Sequence, residues 1–567
     1  MLQIRTKLFR SLKHQKAQWQ NKVERLFSSE NDEIILNSPY KPVPIPTQNV
    51  SDFCLSRFDQ YSNLPALVCG VSEKKFTYGD VKDMSRRFGS QLMNTGLNPG
   101  DKIAVIVPNC PEFGPVLFGA TGVGVTVMPI SPLLTPAELA RVFAIAKPRL
   151  VVTSDALVPL VDAAQADTAD KVPMVTVTDN SSTAAVPFSE FISNDGSLYD
   201  KKPEFDVTKT LALLPFSSGT TGPPKGVMVT HQNLTSAMFI ANNEESGCAL
   251  LPLQPGQQQS VALSVIPMFH IFGLAYNVMQ PLTIGAEMIS FPKFEAETFI
   301  SSLAKYQPTH LNIVPPLVMM LAMHPAITRD THLCRAQCIS SGGSPISSVI
   351  INKLKEKLSP LSCELKEGYG MTEAPLVCRS TRDRPEDKRA SVGKLVSNIT
   401  AKVVDIDNNK SLGPNKPGEL LIKGPHVMAG YYKNKEATED CFDDDGWFKT
   451  GDVVYHDEEG YIFIVDRIKD MIKVKGYQVA PTELEDVIRT APGVVDVAVI
   501  GVPDHKAGEL PKAFIVRASE DVKEDDINQF LEDKIAKYKK LSGGIIFLKE
   551  LPKSPTGKVL RKDLRHL

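Results

Sequence analysis

The sequence lacks most of the features that would assign a function at a glance. Its 567 residues include nine cysteines but no CxxC pair, and only Cys334 and Cys338 lie close together. That spacing disfavours a secreted disulfide framework and leads us to expect reduced thiols in an intracellular compartment. The ten histidines form neither an HExxH motif nor a Cys/His cluster, so structural zinc has no sequence support. Net charge is nearly absent: 63 Lys and Arg face 65 Asp and Glu, a formal −2, which argues against a dedicated nucleic-acid binder. Gly122 and Gly124 lack a third glycine, because position 127 is Val, so they make no dinucleotide fingerprint. The uncharged stretch Phe113–Ala137 is long enough to test as a membrane span, but Gly114, Pro115, Gly119, Pro129 and Pro132 interrupt it. It reads instead as a buried helix followed by a buried strand, Val123–Ile130, with no transmembrane segment and with peripheral membrane association left open.

What is present is a long, ordinary globular composition. With 42% hydrophobic and 23% charged residues the chain can bury a large core, and its length implies several structural units. The first 23 residues carry Arg5, Lys7, Arg10, Lys13, Lys16 and Lys22 with no acid before Glu24, and Leu8, Phe9, Leu12, Trp19 and Val23 recur near helical spacing. This is the composition of a mitochondrial presequence, followed by Arg25-Leu26-Phe27-Ser28-Ser29, and equally that of a basic surface helix. Mitochondrial localisation is the expectation. Peroxisomal import, suggested by Arg565-His566-Leu567, and a cytoplasmic location are the alternatives.

Between the ends, strand-like runs such as Lys102–Val107, Leu150–Thr153, Met174–Val177 and Val261–Ile266 alternate with helical stretches such as Pro136–Ala146 and Phe294–Tyr306. Alternation of this kind predicts layered α/β structure with largely parallel sheets. From Ala401 onward the texture changes to short strands and turns, with Asp443–Gly446 and Asp457–Gly460 flanking a hairpin. The charged segment Asp466–Asp470 then precedes a compact terminal unit with helices at Pro481–Thr490 and Glu524–Lys537. The expected organisation is a basic extension over residues 1–40, a large body over 41–466 and a small domain over 467–567.

The strongest local signal follows the apolar strand Leu211–Phe216: Ser217-Ser218-Gly219-Thr220-Thr221-Gly222-Pro223-Pro224-Lys225-Gly226. Glycines that let the backbone approach an anion, hydroxyls and amides that donate to it, and one lysine make a phosphate-binding loop. It is not the Walker pattern, since no Gly-x4-Gly-Lys-Ser/Thr run starts at Gly219. With this loop the chain resembles the adenylate-forming superfamily of acyl-CoA ligases, luciferases and peptide-synthetase adenylation domains, most closely the branch of 4-coumarate-CoA ligases and luciferases. The resemblance runs from about residue 50 to the C-terminus and rests on several motifs in the expected order. It implies a large body of α/β subdomains with a β-barrel-like subdomain, a mobile C-terminal α+β domain, and ATP, Mg²⁺, coenzyme A and a small carboxylic acid as ligands.

A carboxylate is a poor electrophile, so thioester formation requires its activation, here as an acyl-adenylate formed with release of pyrophosphate. By resemblance, Gly343 and Ser344 in Gly342-Gly343-Ser344-Pro345, and Gly368, Tyr369, Gly370, Thr372 and Glu373 in Gly368-Tyr369-Gly370-Met371-Thr372-Glu373, form the adenine cradle. The resemblance puts the adenine against Tyr369, Thr372 on the α-phosphate and Glu373, with Thr220, at Mg²⁺. Asp452 and Arg467 match ribose contacts. His270 matches a histidine at the carboxylate entrance, where we expect gating and pocket shaping. Lys558, after the Pro552–Gly557 turn, matches the lysine that bridges the carboxylate and α-phosphate. Lys473, Lys475 and Gly476 match a segment that faces the site during thiolation, and Lys469 matches the hinge about which the small domain turns between half-reactions.

The acyl pocket is expected among His270–Gly273, Asn312–Leu317, Gly342–Gly343 and the segment after Glu373. Phe272 stands where coumarate ligases often carry tyrosine, and Ala374-Pro375-Leu376-Val377 departs from their Ala-Gly-Pro-Val. A phenolic acid would then lose a polar partner, so a medium- or long-chain fatty acid is the first expectation and a cinnamate-like aryl acid the alternative. Met319, Met320 and Met323 are read as core rather than pocket. A luciferase-like oxygenase would share the adenylation motifs. A peptide-synthetase module is disfavoured by the short sequence after Lys558, and a non-catalytic sensor by the retention of Lys558, Glu373 and Asp452.

Overall fold

The computed structural model describes residues 27–30, 33–168, 171–178, 185–217, 224–243, 245, 250–343, 346, 348–381, 384–475, 477–554 and 557–567. Residues 1–26 of the expected basic extension, Ser218–Gly222, Ser344 and Gly476 lie outside them, whereas Phe27–Glu30 and Glu33–Asn37 are strands paired into the body, so the expected extension over 1–40 is too long. Two largely parallel sheets and one antiparallel sheet build the body. A seven-stranded sheet orders Val229–Thr230, Leu211–Leu213, Thr126–Pro129, Lys102–Ile106, Leu150–Thr153, Met174–Thr176 and Val186–Pro187, antiparallel only at its first pair. A nine-stranded sheet runs from Lys394–Leu395 through Ala374–Arg379, Glu364–Met371, Cys338–Gly342, His310–Ile313, Val261–Ser264, Glu287–Ser290 and Pro65–Cys69 to Lys75–Thr77, with antiparallel pairs at its two ends. The barrel-like subdomain expected from resemblance is a six-stranded antiparallel sheet that ends on Phe448–His456 and Ile462–Arg467.

Local sequence explains the connecting helices. Thr135 caps the Pro136–Ala146 helix by accepting from the Glu138 N–H while the Glu138 carboxylate accepts from the Thr135 N–H, and Pro136 fills the first turn, where no N–H is needed. The uncharged run folds as the fully buried helix Phe113–Gly122 and the buried strand Thr126–Pro129, a strand shorter than the sequence suggested. Its Gly119 lets it lie against the Tyr78–Asn94 helix, because a Cβ there would stand 2.6 Å from the Ser85 carbonyl oxygen. Among the described residues, no helix is long and apolar enough to cross a membrane.

The small domain is a five-stranded sheet in which Gly508–Arg517 pairs with Val494–Asp504, Ile472–Val474 and Ile545–Leu548. Pro481–Arg489 covers it, burying Leu484 and Ile488 with Val497, Val499 and Ile515 in one cluster. The second helix, Glu524–Leu531, ends six residues before the expected Lys537, because the backbone is already extended at Ala536. The antiparallel sheet of the body ends at Arg467 and the first strand of the small domain begins at Ile472, so the four residues between them join the two units.

Candidate active site

The cleft lies where the parallel strands of the nine-stranded sheet end. Cys338–Gly342 and Glu364–Met371 run in register, Ser340 beside Lys366 and Gly342 beside Gly368. Met371 then pairs with Ala374, which leaves Thr372 and Glu373 at the tip of a hairpin. Ligands of open α/β sheets bind at this carboxyl end of the strands.

Asp452 anchors one rim. It is buried, the Tyr369 hydroxyl donates to its Oδ2 at 2.5 Å, and Arg467 Nε stands 3.2 Å from its Oδ1. Asp452 and Arg467 face each other across neighbouring strands, so the sheet register itself makes this pair. Burial, with the Asp452 carboxylate second, pushes the Tyr369 phenol well above its ordinary pKa, so it stays a donor.

Glu373 anchors the opposite rim. The Tyr431 hydroxyl donates to its Oε1 at 2.9 Å, and Lys225 Nζ lies 5.0 Å from the centre of the Tyr431 ring. Phe216–Ser217 pairs antiparallel with Lys225–Gly226, and the Tyr432 N–H donates to the Gly226 carbonyl at 2.8 Å. The exit of the phosphate loop is thereby fixed to the segment that carries Tyr431.

His270 sits on the cleft wall at the start of a buried π-helix, Gly273–Met279. Its Nδ1 accepts from the Phe272 N–H at 3.3 Å, which leaves Nε2 to carry the proton. Burial, and secondarily the Lys558 ammonium, push its pKa down to about 4, so it is neutral at physiological pH. Gly273 allows the tight entry to this turn, since a Cβ there would lie 2.2 Å from the Pro267 carbonyl oxygen. Behind it, buried Asn109 accepts from the Met268 N–H at 2.7 Å and donates to the Ile266 carbonyl at 3.0 Å. Asn109 and Tyr431 are positioning residues that no motif revealed.

Lys558 closes the site from the small domain. The loop before it rests on the body, with Gly557 placed so that a Cβ would meet Pro316 Cγ at 3.2 Å. Lys558 is exposed, yet the protein packed around it disfavours its charge, and this desolvation, followed by the Arg467 charge, lowers its pKa to about 8. Asp452, Asp470, Lys469 and His270 are within electrostatic reach.

The cleft encloses about 920 Å³ of space open to solvent and is lined by His270, Phe272, Asn312, Gly342, Gly343, Gly368, Tyr369, Gly370, Pro375 and Leu376 among others. Gly273 and residues 313–317 are not on its wall. Val314 and Pro316 instead receive Gly557. Met319 and Met323 are neither pocket nor core but exposed, while Met320 packs against the neighbouring core. Lys473 and Lys475 stay in the hairpin Ile472–Val479, where their backbones bond Glu509 and Ala507 of the same domain, and none of their described contacts reaches the cleft.

The sequence model described as "AMP-binding enzyme" matches residues 56–432, and that of the "AMP-binding enzyme C-terminal domain" matches 483–558. The chain belongs to the AMP-binding enzyme family. Among curated relatives, 4-coumarate–CoA ligase 1 of Arabidopsis thaliana is 33% identical, the match covering 96% of this chain and 97% of that protein. The 4-coumarate-CoA ligase 1 of Narcissus pseudonarcissus is 35% identical, with 96% of each chain covered. Among solved structures, ATP-bound MatB from Rhodopseudomonas palustris superposes with a TM-score of 0.80 at 26% identity, covering 92% of this chain and 99% of that one. This AMP-binding enzyme is therefore an AMP-forming acid–thiol ligase of the adenylate-forming superfamily, with acyl- or aryl-CoA ligase activity.

Proposed function

We propose that this enzyme activates an aryl acid of the cinnamate class in preference to a fatty acid, and passes it to coenzyme A. The observation that carries the reading is the set of polar side chains, Tyr276, Gln280, Asn312, Ser340, Lys366 and Arg379, that interrupts an otherwise apolar pocket wall beyond Phe272. A methyl-ended chain lodged there would return no hydrogen bond to the Tyr276 hydroxyl, which has no partner among the described residues, at about 1–3 kcal/mol for a polar group left unmatched. The Phe272 ring, 3.7 Å from where a Gly342 Cβ would stand, gives the cleft wall a flat aromatic face against which a substrate ring can pack. The names of the curated relatives support the same choice.

In the first half-reaction the substrate carboxylate oxygen attacks the α-phosphorus of ATP, and the bond to pyrophosphate breaks. Asp452 and Arg467 would hold the ribose, the Lys225 face the phosphates, and neutral His270 would donate from Nε2 at the carboxylate entrance. The Lys558 ammonium would balance charge as it shifts between carboxylate and phosphate, the kind of preorganised donor worth about 10²–10³ in rate. The Glu373 carboxylate, a hard oxygen donor, would hold a Mg²⁺ ion. When bound, that ion would neutralise phosphate charge. In the second half-reaction the thiolate of coenzyme A attacks the acyl carbon and AMP leaves. By the family resemblance Lys473, Lys475 and Lys558 all serve that one centre from a single domain, so the chain beyond Lys469 rotates about that residue between the steps.

The test is ATP–pyrophosphate exchange with purified protein across fatty, benzoic and cinnamic acids, followed by thioester formation. Faster exchange with octanoate or palmitate than with any aryl acid would return the fatty-acid reading, and exchange without thioester would point to another acceptor.

A further inference from the structure

Resting on the aryl-acid reading above, we propose that the acid carries a second anionic group, a distal carboxylate, bound by Arg379, Lys366 and Tyr276 on the strand wall of the acyl pocket. Sheet register gives the depth. Gly342 and Gly368 pair near the mouth, Ser340 and Lys366 pair one layer below, and strands rise about 3.3 Å per residue, so Lys366 lies about 7 Å deeper. Arg379 joins from the adjoining strand, opposite Gly368.

Lys366 is 6% exposed and is paired with Glu364 at 2.5 Å, so its charge is already matched. Arg379 donates from one Nη to the Ala241 carbonyl at 2.9 Å, and among the described residues no carboxylate pairs with it. Its guanidinium is thus the unmatched charge of a buried cluster, and its remaining donors lie in a cleft it helps to line. The Tyr276 side chain lines the same cleft, the residue is 6% exposed, and its hydroxyl has no hydrogen-bond partner among the described residues. Arg379 lies close enough to Tyr276 to influence its ionisation, while burial holds the phenol protonated. A half-buried cation with no described carboxylate partner and a buried donor without an acceptor together form half of a carboxylate site, and an Arg fork with a phenol O–H supplies its donor geometry. A neutral ring substituent would satisfy Tyr276 and leave Arg379 desolvated and unpaired.

The experiment compares ATP–pyrophosphate exchange on the full-length protein with cinnamate, 4-hydroxycinnamate, 4-carboxycinnamate and the methyl ester of its distal carboxyl, and with aliphatic dicarboxylates of similar length. The expected result is a kcat/KM for 4-carboxycinnamate about ten- to hundredfold above that of its ester or of cinnamate, the worth of one charge-assisted pair. Arg379→Gln should collapse that ratio, and Arg379→Lys should restore part of it, which separates lost recognition from lost folding. Preference for cinnamate or its 4-hydroxy form over 4-carboxycinnamate would overturn the subsite and leave the aryl reading standing. Exchange with aliphatic dicarboxylates alone would keep the subsite and overturn the aryl reading. Exchange with none of these acids would overturn both.

Discussion

The Tyr431 hydroxyl donates to Glu373 across 2.9 Å, tying the last residue of the GYGMTE motif to a segment some 60 residues downstream. The same ring lies beneath the Lys225 ammonium. Tyr431→Phe keeps the ring and removes only the donor, so the Glu373 carboxylate loses its orientation. We expect an ATP KM raised about tenfold in pyrophosphate exchange with little change in melting temperature, the scale of a hydrogen bond to a charged group. An unchanged KM would mean that Glu373 needs no such brace.

Lys558 gives the site a pH signature. Its pKa is lowered to about 8, below the ordinary 10.5, and the charged form is the one that stabilises the transition state. kcat/KM for adenylation should therefore hold below pH 8 and fall as pH rises through that value, since the free enzyme loses its cation there. Lys558→Arg should move this limb out of range. His270, with a pKa near 4, should add no limb between pH 6 and 7.5, and a break near 6.5 that vanishes in His270→Ala would contradict its neutral assignment.

Asn109 holds the loop before His270 through two buried hydrogen bonds. Asn109→Ala leaves a buried N–H and a buried carbonyl unmatched, which should cost about 2–4 kcal/mol in denaturant unfolding. The KM for the acid should rise more than that for ATP, because the disturbed loop lines the acyl side. Equal rises would place the effect on the fold alone.

Lys469 stands in the short turn Ile468–Asp470 between the two units. Lys469→Pro restricts the dihedrals on which a rotation would turn. Pyrophosphate exchange should survive while thioester formation falls at least about tenfold, the sign of a blocked conformational step. Loss of both in equal measure would remove the hinge from Lys469.

Much of this was legible in the sequence because the chemistry is written in contiguous motifs. Gly368–Glu373, Asp452 with Arg467, and Lys558 each combine unusual residue types at short spacing, and the Thr135-Pro136-x-Glu138 cap fixed a helix start. Asn109, Tyr431, Lys366 and Arg379 were not legible in this way. Asn109 and Arg379 act through partners more than 100 residues distant, Tyr431 through Glu373 some 60 residues away, and Lys366 reaches the cleft only through a register set by the whole sheet. A faint signal did exist: Lys366 stands two residues before Gly368, on the strand face that must look into the cleft, where a purely apolar pocket would not place an ammonium. The fatty-acid expectation weighed the missing hydroxyl at Phe272 and overlooked the cations below it.

The contact of Gly557 with Pro316 has one more consequence, for biosynthesis. The sheets that form the cleft are complete once residue 467 has been made, yet the ammonium that drives adenylation arrives about 90 residues later. A nascent chain or a product truncated before Lys558 would present a folded nucleotide cleft with no means of turning it over. Activity is thereby withheld until translation has passed Lys558, and a chain stopped before it would be an ATP-binding bystander rather than a wasteful ligase.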